Sequence, residues 1–462
     1  MTSLLNVTNL AVYAGNICLL EPISFRLEKD QPLTILGQTG SGKSLLAQAI
    51  MGLLPEELSV SGDIEVFGKS LTLAQRRALW GREMVMLPQE PWHALDPLMK
   101  GVNQVSEVYH LVQGETKLDA NIHAQQDLQQ VGLADNGHKR PGQLSGGMAQ
   151  RLAIAAATAA GANLILADEP TKGLDVNRRD GIVRLLQSRS AGGGLLTITH
   201  DVAIARQLAG RMMVIKGGNL VEHGDAIDIL NQPKDAYTKA LIAAEPKQWT
   251  HAPSARLSNE KVVEVSDLAL ERGGKRLFDS VSFNVHQGEV VGVVGDSGCG
   301  KSSLGDALLG LLPLQAGDVK KCLDNTQPYQ WLKLYQDPPS AFTASVTLQQ
   351  LLDDLVRLHK IDRARIPVLM KRLNLPEGIL TRNCLGVSGG ELQRFAILRA
   401  LLLDPVFLFA DEPTSRLDPI TAQQVTELLV ELARETGCSV LLVSHDPDLV
   451  AKTCDQVIKL TA

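Results

Sequence analysis

Short apolar segments recur along the chain and alternate with polar or glycine-containing turns. Residues 4–13 and 17–27 alternate apolar and polar positions, a period of two that predicts strands with one buried face. Further segments are predominantly apolar along their whole length, as buried strands are: 33–36, 84–88, 164–167 and 195–199. Helical segments fall between these strands. The order of strands and helices predicts an α/β fold built on a doubly wound sheet.

The segment 90–142 changes to a helical period. Its apolar residues recur near one face, at Leu95, Leu98, Val102, Val105 and Val108. This stripe predicts helices whose apolar face belongs to a core. The loop 91–97, which contains Trp92, directly follows Gln89 and is a candidate surface for contact with a partner.

A second pattern divides the chain into two similar halves. LSGGMAQR at 144–151 is followed by LILADEP and by Asp175, and VSGGELQR at 387–394 is followed by FLFADEP and by Asp418. Glu169 follows Ser145 by 24 positions, and Glu412 follows Ser388 by the same number. A repeat that keeps the spacing of polar residues indicates two copies of one functional unit.

Each half also contains a glycine-rich turn between an apolar strand and a helix. A single match to GxxxxGK[ST] could arise by chance, but two matches in this context argue against chance. Glycines let consecutive backbone N–H groups wrap phosphates, the lysine reaches the outer phosphates, and the serine binds magnesium. The two turns are Gly37, Gln38, Thr39, Gly40, Ser41, Gly42, Lys43 and Ser44, and Gly295, Asp296, Ser297, Gly298, Cys299, Gly300, Lys301 and Ser302.

Paired carboxylates follow one buried strand in each half. Asp168 and Glu169 directly follow the apolar segment 164–167, and Asp411 and Glu412 follow its counterpart. Adjacent residues of a strand point to opposite sides, so one carboxylate can hold hydrated magnesium while the other polarises water. A solvated strand end is the ordinary alternative, which the repeated pattern disfavours.

Three other polar or aromatic positions are candidates for the same site. Gln89 and its counterpart Gln336 follow a strand, where a neutral amide could coordinate magnesium or water. His200 follows the strand 195–199 and could sense the outermost phosphate by a hydrogen bond, and His445 is its twin. Tyr13 could stack on an adenine ring, although half-buried packing explains a lone strand tyrosine equally well.

Composition limits the partners. The chain has 462 residues, a formal net charge of -6 and no run of Lys and Arg, which disfavours nucleic acid as the main partner. Its six cysteines form no CxxC pair, so neither a zinc site nor a disulfide framework is indicated, and a reducing cytoplasm fits best. The first ten residues lack the features of a secretory signal. The apolar region 152–167 predicts a helix and a buried strand instead of a membrane span.

With the phosphate loop, Gln89, LSGGMAQR, ADEP, GLD and His200 in that order, the first half resembles an ATP-binding-cassette ATPase, and the second half resembles it again. The resemblance implies two tandem P-loop domains at 1–244 and 261–462, joined by a linker at 245–260. It also implies that each domain has a RecA-like parallel-sheet core, an antiparallel β subdomain and a helical subdomain.

In that family two cassettes pair head to tail, and each ATP lies between one phosphate loop and the other cassette's Ser-Gly-Gly turn. The resemblance thus implies ATP and Mg²⁺ as cofactors, Glu169 and Glu412 as general bases, and Asp175 and Asp418 linking across the seam. One implied site combines Lys43, Ser44, Gln89, Asp168, Glu169 and His200 with Ser388, Gly389 and Gly390. The other combines Lys301, Ser302, Gln336, Asp411, Glu412 and His445 with Ser145, Gly146 and Gly147.

The tail after His200, with Tyr237-Thr238 and Pro246, resembles that of the peptide and nickel importer branch. An importer ATPase for peptides, nickel or a metal-chelator complex is therefore expected. It would lie on the cytoplasmic face of the inner membrane, with membrane permease subunits contacting 92–99 and 342–352 and with a substrate-binding protein as a further partner. A fused sugar-importer ATPase and a twin cassette acting on ribosomes are the alternatives. The short, weakly charged linker disfavours the ribosomal one.

The second half departs from the first at several points. Gln336 follows Lys301 by 35 positions whereas Gln89 follows Lys43 by 46, which predicts a smaller antiparallel sheet. Glu271 and Arg272 stand where Tyr13 would align, and Arg416 replaces a small residue before Asp418. No counterpart of the first tail precedes Ala462. Two hydrolytic sites of unequal nucleotide affinity are expected.

Overall fold

The computed structural model describes residues 3–38, 40–250, 258–296, 298–415 and 417–460. These residues form two compact units, Met1–Ala243 and Ala244–Ala462. Both units are α/β. No helix in the described ranges is both long and apolar enough to cross a bilayer.

The helices and strands of the first unit follow one another along the chain in a mixed order. They are β1 (Ser3–Ala14), β2 (Ile17–Glu28), β3 (Leu33–Leu36), α1 (Lys43–Met51), β4 (Leu58–Val66), β5 (Lys69–Ser70), α2 (Leu73–Arg77), β6 (Met84–Leu87), α3 (Gly101–Leu111), α4 (Lys117–Gln130), α5 (Gly146–Thr158), β7 (Leu164–Asp168), α6 (Val176–Arg189), β8 (Gly194–Thr199), α7 (Val202–Leu208), β9 (Arg211–Lys216), β10 (Asn219–Asp225), α8 (Ala226–Asn231) and α9 (Ala236–Ala243).

A six-stranded sheet in the order β10-β9-β3-β8-β7-β6 forms the centre of this unit. All its neighbours are parallel except β9 and β10. Strands β3, β7 and β8 are buried along their whole length, which explains their continuous apolar sequences. Because parallel strands end at the same edge, the segments that follow β3, β6, β7 and β8 meet there.

A four-stranded antiparallel sheet, β2-β1-β4-β5, covers one side of this centre. Its buried residues, such as Leu5 and Leu10, share a core with Leu46 and Ile50 of α1. The alternation read from the sequence is interrupted in β1, because the strand shifts register between Val7 and Leu10 and because Leu10, Ala11 and Val12 are all buried.

Helices α3, α4 and α5 share a smaller core that includes Leu95 and Val105. The predicted apolar stripe is wrong at Leu98, which is 79% exposed. Leu98 precedes the start of α3 at Gly101, so the helical period does not apply to it.

The second unit repeats the same order with fewer elements. They are β11 (Lys261–Arg272), β12 (Lys275–His286), β13 (Val290–Val294), α10 (Lys301–Leu309), β14 (Ala316–Lys321), β15 (Trp331–Leu334), α11 (Leu348–His359), α12 (Arg365–Arg372), α13 (Gly389–Leu401), β16 (Phe407–Asp411), α14 (Pro419–Thr436), β17 (Ser439–Val443), α15 (Pro447–Thr453) and β18 (Gln456–Lys459).

The central sheet of the second unit is entirely parallel, in the order β15-β16-β17-β13-β18. Its antiparallel sheet has three strands, β12-β11-β14, against four in the first unit. The prediction of a smaller second sheet is confirmed. The shorter connection between Lys301 and Gln336 leaves room for one strand where the first unit has β4 and β5.

Trp249 lies within the segment read as a linker, but it is only 9% exposed and belongs to the main core of the second unit. Its indole N–H donates to the carbonyl of Ala244 at 3.0 Å. The residues just after the unit boundary are therefore packed structure, and the turn-prone composition of 245–260 did not indicate this.

Candidate functional site

The first phosphate loop joins β3 to α1 at the carboxyl edge of the sheet. Gly42 caps α1 with φ 91°, a left-handed conformation that favours glycine. A Cβ at Gly37 would lie 2.2 Å from the carbonyl oxygen of Ile215, so the neighbouring strand β9 leaves room for glycine alone. The glycines of the motif are thus required by local geometry before any ligand is considered.

Lys43 and Lys301 occupy equivalent positions in the two units. Lys43 Nζ donates to the carbonyl oxygens of Gly37 and Gln38, both at 2.7 Å. Lys301 Nζ donates to those of Gly295 and Asp296, at 2.7 and 3.0 Å. Each ammonium group therefore lies inside the curve of its own loop, where it would meet the phosphates of a nucleotide.

The roles predicted for several residues stay predictions. Thr39, Ser297 and Arg416 lie outside the described residues. Cys299 is buried and free, as are the thiols of Cys384 and Cys438. Tyr13 is half-buried on β1, where it pairs with Cys18 of β2, and its proposed adenine contact stays a prediction.

The two carboxylates after β7 separate for a reason that the sequence did not show. The prediction placed both on the strand, but β7 ends at Asp168, and Glu169 has a positive φ of 48°. Glu412 has φ 49° after β16. Left-handed backbone at a non-glycine residue is unfavourable, and such residues concentrate at functional sites. This turn, and not strand alternation, directs each glutamate away from the preceding aspartate.

The aspartates are buried beside the serines of the phosphate loops. Ser302 Oγ donates to Asp411 Oδ1 at 3.0 Å. Burial raises the pKa of Asp411, and the Ser302 hydrogen bond opposes that rise. Burial likewise raises the pKa of Asp168, whose Oδ1 has no hydrogen-bond partner within the part of the chain that the structure describes. A hydroxyl and a carboxylate oxygen with spare capacity are ligands that Mg²⁺ prefers.

Each glutamate forms an ion pair with the histidine that follows the next strand. His200 Nδ1 lies 2.8 Å from Glu169 Oε2, and His445 Nε2 lies 2.5 Å from Glu412 Oε1. Burial opposes the charged forms of Glu169 and His200, but their mutual attraction prevails: the pKa of Glu169 is lowered and that of His200 is raised. Within each unit, the structure thus brings together a glutamate and a histidine that were predicted from separate strands.

These pKa shifts predict a pH-dependent stability. The contribution of His200 to the free energy of unfolding is complete below its ordinary pKa of 6.5 and is lost as pH rises through its raised pKa. That of Glu169 is complete above its ordinary 4.5 and is lost as pH falls through its lowered value. Both contributions are complete between pH 4.5 and pH 6.5. We expect the difference in thermal midpoint between the wild type and His200→Gln to be largest in this range and to shrink at higher pH.

The control for this measurement is His123→Gln, which removes an exposed pair between His123 Nδ1 and Glu115 in the same unit. Its difference from the wild type should be small at every pH, because an exposed ion pair contributes little to stability. A His200→Gln difference that stayed constant from pH 5 to pH 9 would contradict the ion pair.

The glutamines differ between the units. Gln336 Nε2 donates to Glu412 Oε2 at 2.6 Å, so the second unit joins glutamine, glutamate and histidine in one contact group. Gln89 follows β6 at the same edge of the first sheet. In the second unit the glutamine therefore lies beside the proposed base, and its role in positioning water stays a prediction.

The Ser-Gly-Gly turns begin helices α5 and α13. Ser388 forms a capping box with Glu391, which fixes its hydroxyl, whereas Ser145 is followed by Met148 at the equivalent position and makes no such cap. Ser145 and Gly146 are exposed, as a turn available to a ligand must be. Whether these turns contact a phosphate stays a prediction.

The acidic turns have a local role that was not anticipated. Asp175 accepts from the amide of Arg178 at 2.9 Å and caps α6. Asp418 accepts from the amide of Thr421 at 3.1 Å and caps α14. Their link across a cassette seam stays a prediction.

Two residues near the sites were missed. Lys333 on β15 lies 3.8 Å from Asp411 and 2.6 Å from Asp306, and its charge opposes the raised pKa of Asp411. Tyr237 accepts a hydrogen bond from the amide of Gln38 at 2.8 Å. The sequence offered a signal for Tyr237, which stood out in the tail, but nothing indicated its contact with a loop 199 positions away.

Comparison with known proteins agrees with this geometry. The ABC transporter family model matches residues 20–172 and 278–415, and the chain therefore belongs to the ATP-binding-cassette transporter family. It is an ATP-binding protein and an ATPase with two cassettes.

Its similarity to particular relatives spans nearly the whole chain. The uncharacterized ABC transporter ATP-binding protein YejF of Escherichia coli K12 is 33% identical over 95% of this chain and 89% of its own length. The peptidoglycan transport ATP-binding protein YejF of Agrobacterium fabrum is 32% identical over 95% and 87%. The glutathione import ATP-binding protein GsiA of Escherichia coli K12 is 31% identical over 96% and 81%.

Solved structures show the same tandem fold. An RNase-L inhibitor matches with a TM-score of 0.67 and 20% identity, covering 97% of this chain and 87% of its own. An archaeal ribosome recycling factor, aABCE1, in complex with the stalk protein aP1, matches with a TM-score of 0.69 and 22% identity over 98% and 87%. At these identities the likeness concerns the fold alone.

Proposed function

We propose that this protein is the energy-coupling ATPase of a membrane importer whose cargo is a peptide or a peptide-containing compound. The observation that carries the proposal is the similarity to relatives named for glutathione import and peptidoglycan transport, which covers 95–96% of this chain and 81–87% of those relatives. Selectivity for cargo would lie in the permease and a substrate-binding protein. The chain would act at the cytoplasmic face of the inner membrane.

The chemistry proposed for each site is phosphoryl transfer to water. Lys43 and the loop amides would hold the phosphates, Glu169 would accept a proton from water, and His200 would orient the glutamate through their ion pair. Lys301, Glu412 and His445 would do the same in the second site. Magnesium, when bound by Ser44 and Asp168 or by Ser302 and Asp411, would neutralise phosphate charge. Gln89 and Gln336 would position the water.

Conversion of ATP binding into movement requires that ATP favour one arrangement of the cassettes over another. We propose that Ser388, Gly389 and Gly390 complete the first site, and that Ser145, Gly146 and Gly147 complete the second. The position of these glycines at the start of a helix supports this role, because backbone N–H groups there form an anion-binding terminus. Gly146 is exposed, and Gly389 and Gly390 are half-buried. Hydrolysis would then release the pairing and drive the permease.

The surface proposed to contact the permease follows each glutamine. In the first unit it includes Trp92, 41% exposed, and Leu98. In the second unit a cavity of about 170 Å³ lies between the glutamine loop and α13, lined among others by Tyr335, Phe342 and Arg399. An apolar cavity with a cationic rim suits an amphipathic helix end with a carboxylate, and it lies where nucleotide-dependent movement of Gln336 would be felt.

Uptake by whole cells tests the proposal. Cells that lack the native gene but retain the permease genes would be given the wild type or the double variant Glu169→Gln, Glu412→Gln. With the double variant we expect uptake of labelled glutathione or of a labelled cell-wall peptide to fall to the level of cells without the protein. Loss of radioactive nickel uptake alone would overturn the peptide assignment, and unchanged uptake of all three probes would overturn the importer assignment.

A further inference from the structure

The tail of the first unit contacts its phosphate loop. Tyr237 lies in α9, is 6% exposed, and its hydroxyl oxygen accepts the backbone N–H of Gln38 at 2.8 Å. A side chain from the end of the unit is therefore bound to the second residue of the loop that holds the nucleotide phosphates.

The peptide groups of Gln38 connect this contact to the rest of the loop. The carbonyl of Gln38 accepts from Lys43 Nζ at 2.7 Å and from the amide of Ser41 at 3.2 Å. Gln38 thus holds both Lys43 and the turn through its carbonyl oxygen, and its own N–H donates to Tyr237. If Gln38 rotated, the position of the Lys43 ammonium group would change with it.

Several contacts make Tyr237 a fixed support. Asp235 Oδ1 accepts the amides of Tyr237 and Thr238, at 2.8 and 3.3 Å, and so starts α9 at a defined position. The carboxylate of Glu222 on β10 accepts the amides of Lys234 and Asp235, at 2.9 and 3.2 Å. The ammonium group of Lys216 lies 5.2 Å from the centre of the tyrosine ring.

One of these anchors, Lys216, comes from the strand that borders the loop. Lys216 ends β9 and follows Ile215, whose carbonyl approaches Gly37 so closely that only glycine fits. The loop is therefore held from the β9 side by a steric limit and from the α9 side by a hydrogen bond. A loop held in the conformation that binds phosphate loses less freedom when the nucleotide arrives.

We propose that Tyr237 is a positioning residue that sets the nucleotide affinity of the first site through the Gln38 peptide. It makes the amide of Gln38 unavailable to other partners and keeps Lys43 directed into the loop. The proposal rests on ATP binding by the first phosphate loop and is independent of the cargo or the importer role.

The test compares nucleotide affinity in variants of the full chain. Lys301→Ala is introduced throughout to weaken binding at the second site, and a fluorescent ATP analogue is titrated. Tyr237→Phe keeps the buried ring and removes only the hydroxyl. We expect its dissociation constant to rise about 3- to 10-fold, the size expected for one lost neutral hydrogen bond. In the chain with both lysines, KM for ATP should rise more than kcat falls, because Lys43 acts on bound nucleotide before and during the reaction.

Two further variants separate positioning from stability. Tyr109→Phe removes the hydroxyl of a half-buried tyrosine, which donates to Asp127 away from the loop, and should leave the dissociation constant unchanged. Asp235→Ala removes the carboxylate that accepts the first amides of α9 and should weaken nucleotide binding, as Tyr237→Phe does. Asp235→Asn, which keeps an oxygen acceptor, should retain part of the nucleotide affinity. A Tyr237→Phe variant with wild-type affinity, or one whose thermal midpoint falls while KM stays constant, would overturn the proposal.

Discussion

Replacing both proposed bases, by Glu169→Gln and Glu412→Gln together, is expected to lower steady-state ATP turnover by about 10²- to 10⁴-fold, the contribution of a general base. Each glutamate is buried, has a left-handed backbone and contacts a histidine, so an amide of the same shape removes the proton acceptor with little change of packing. Turnover is measured as phosphate release at saturating ATP.

The single variants test whether both sites hydrolyse. Each single variant should lower ATP turnover by at least the fraction that its own site contributes. The reason is that both units contain the lysine, glutamate and histidine proposed for hydrolysis. Glu115→Gln is the matched control, since Glu115 also pairs with a histidine but lies in the helical part of the first unit. If Glu169→Gln or Glu412→Gln had full activity, the two-site proposal would fail.

The second large effect is expected at the Ser-Gly-Gly turns. Gly146 is exposed, and a Cβ added there would have no heavy atom within 4 Å, so Gly146→Asp fits its own unit. In the proposed pairing, however, the new carboxylate would face the phosphates bound by Lys301. We expect turnover to fall roughly 10²-fold or more, comparable with the loss of a donor to the reacting group.

Gly142→Asp provides the control, because Gly142 is also exposed and open, four residues earlier. It adds the same charge to the same region and should leave turnover close to the wild-type value. Equal activity of Gly146→Asp and Gly142→Asp would contradict a catalytic role for the turn.

The sequence predicted those parts of the site that depend on local order. A buried strand followed by a polar residue predicts the position of that residue at the sheet edge, which is why Glu169 and His200 come together. The number of positions between Lys301 and Gln336 likewise predicted the smaller antiparallel sheet. These features follow from segment length and apolar content.

Features that depend on distant contacts could not be predicted in this way. The left-handed conformation of Glu169 is tied to the bond between its amide and the carbonyl of Ile198 on a neighbouring strand. The contact between Tyr237 and Gln38 joins opposite ends of the unit. The prediction that Leu98 belongs to the core failed because its spacing matched a helix that begins only at Gly101.

The two units have different contacts around equivalent residues. In the second unit Gln336 contacts Glu412, and Lys333 lies near Asp411. In the first unit Tyr237 supports the phosphate loop. These differences support the expectation of unequal nucleotide affinity, which titration of the Lys43→Ala and Lys301→Ala variants would compare directly.

The pairing of each phosphate loop with the opposite Ser-Gly-Gly turn is tested most directly by photocleavage of the vanadate-trapped protein. Vanadate held with ADP in place of the transferred phosphate cuts the nearest backbone under ultraviolet light. We expect fragments that end near Ser44 and Ser302 and, in the same sample, fragments that end near Ser145 and Ser388. Cleavage at the phosphate loops with intact chain at both serine turns would contradict the pairing.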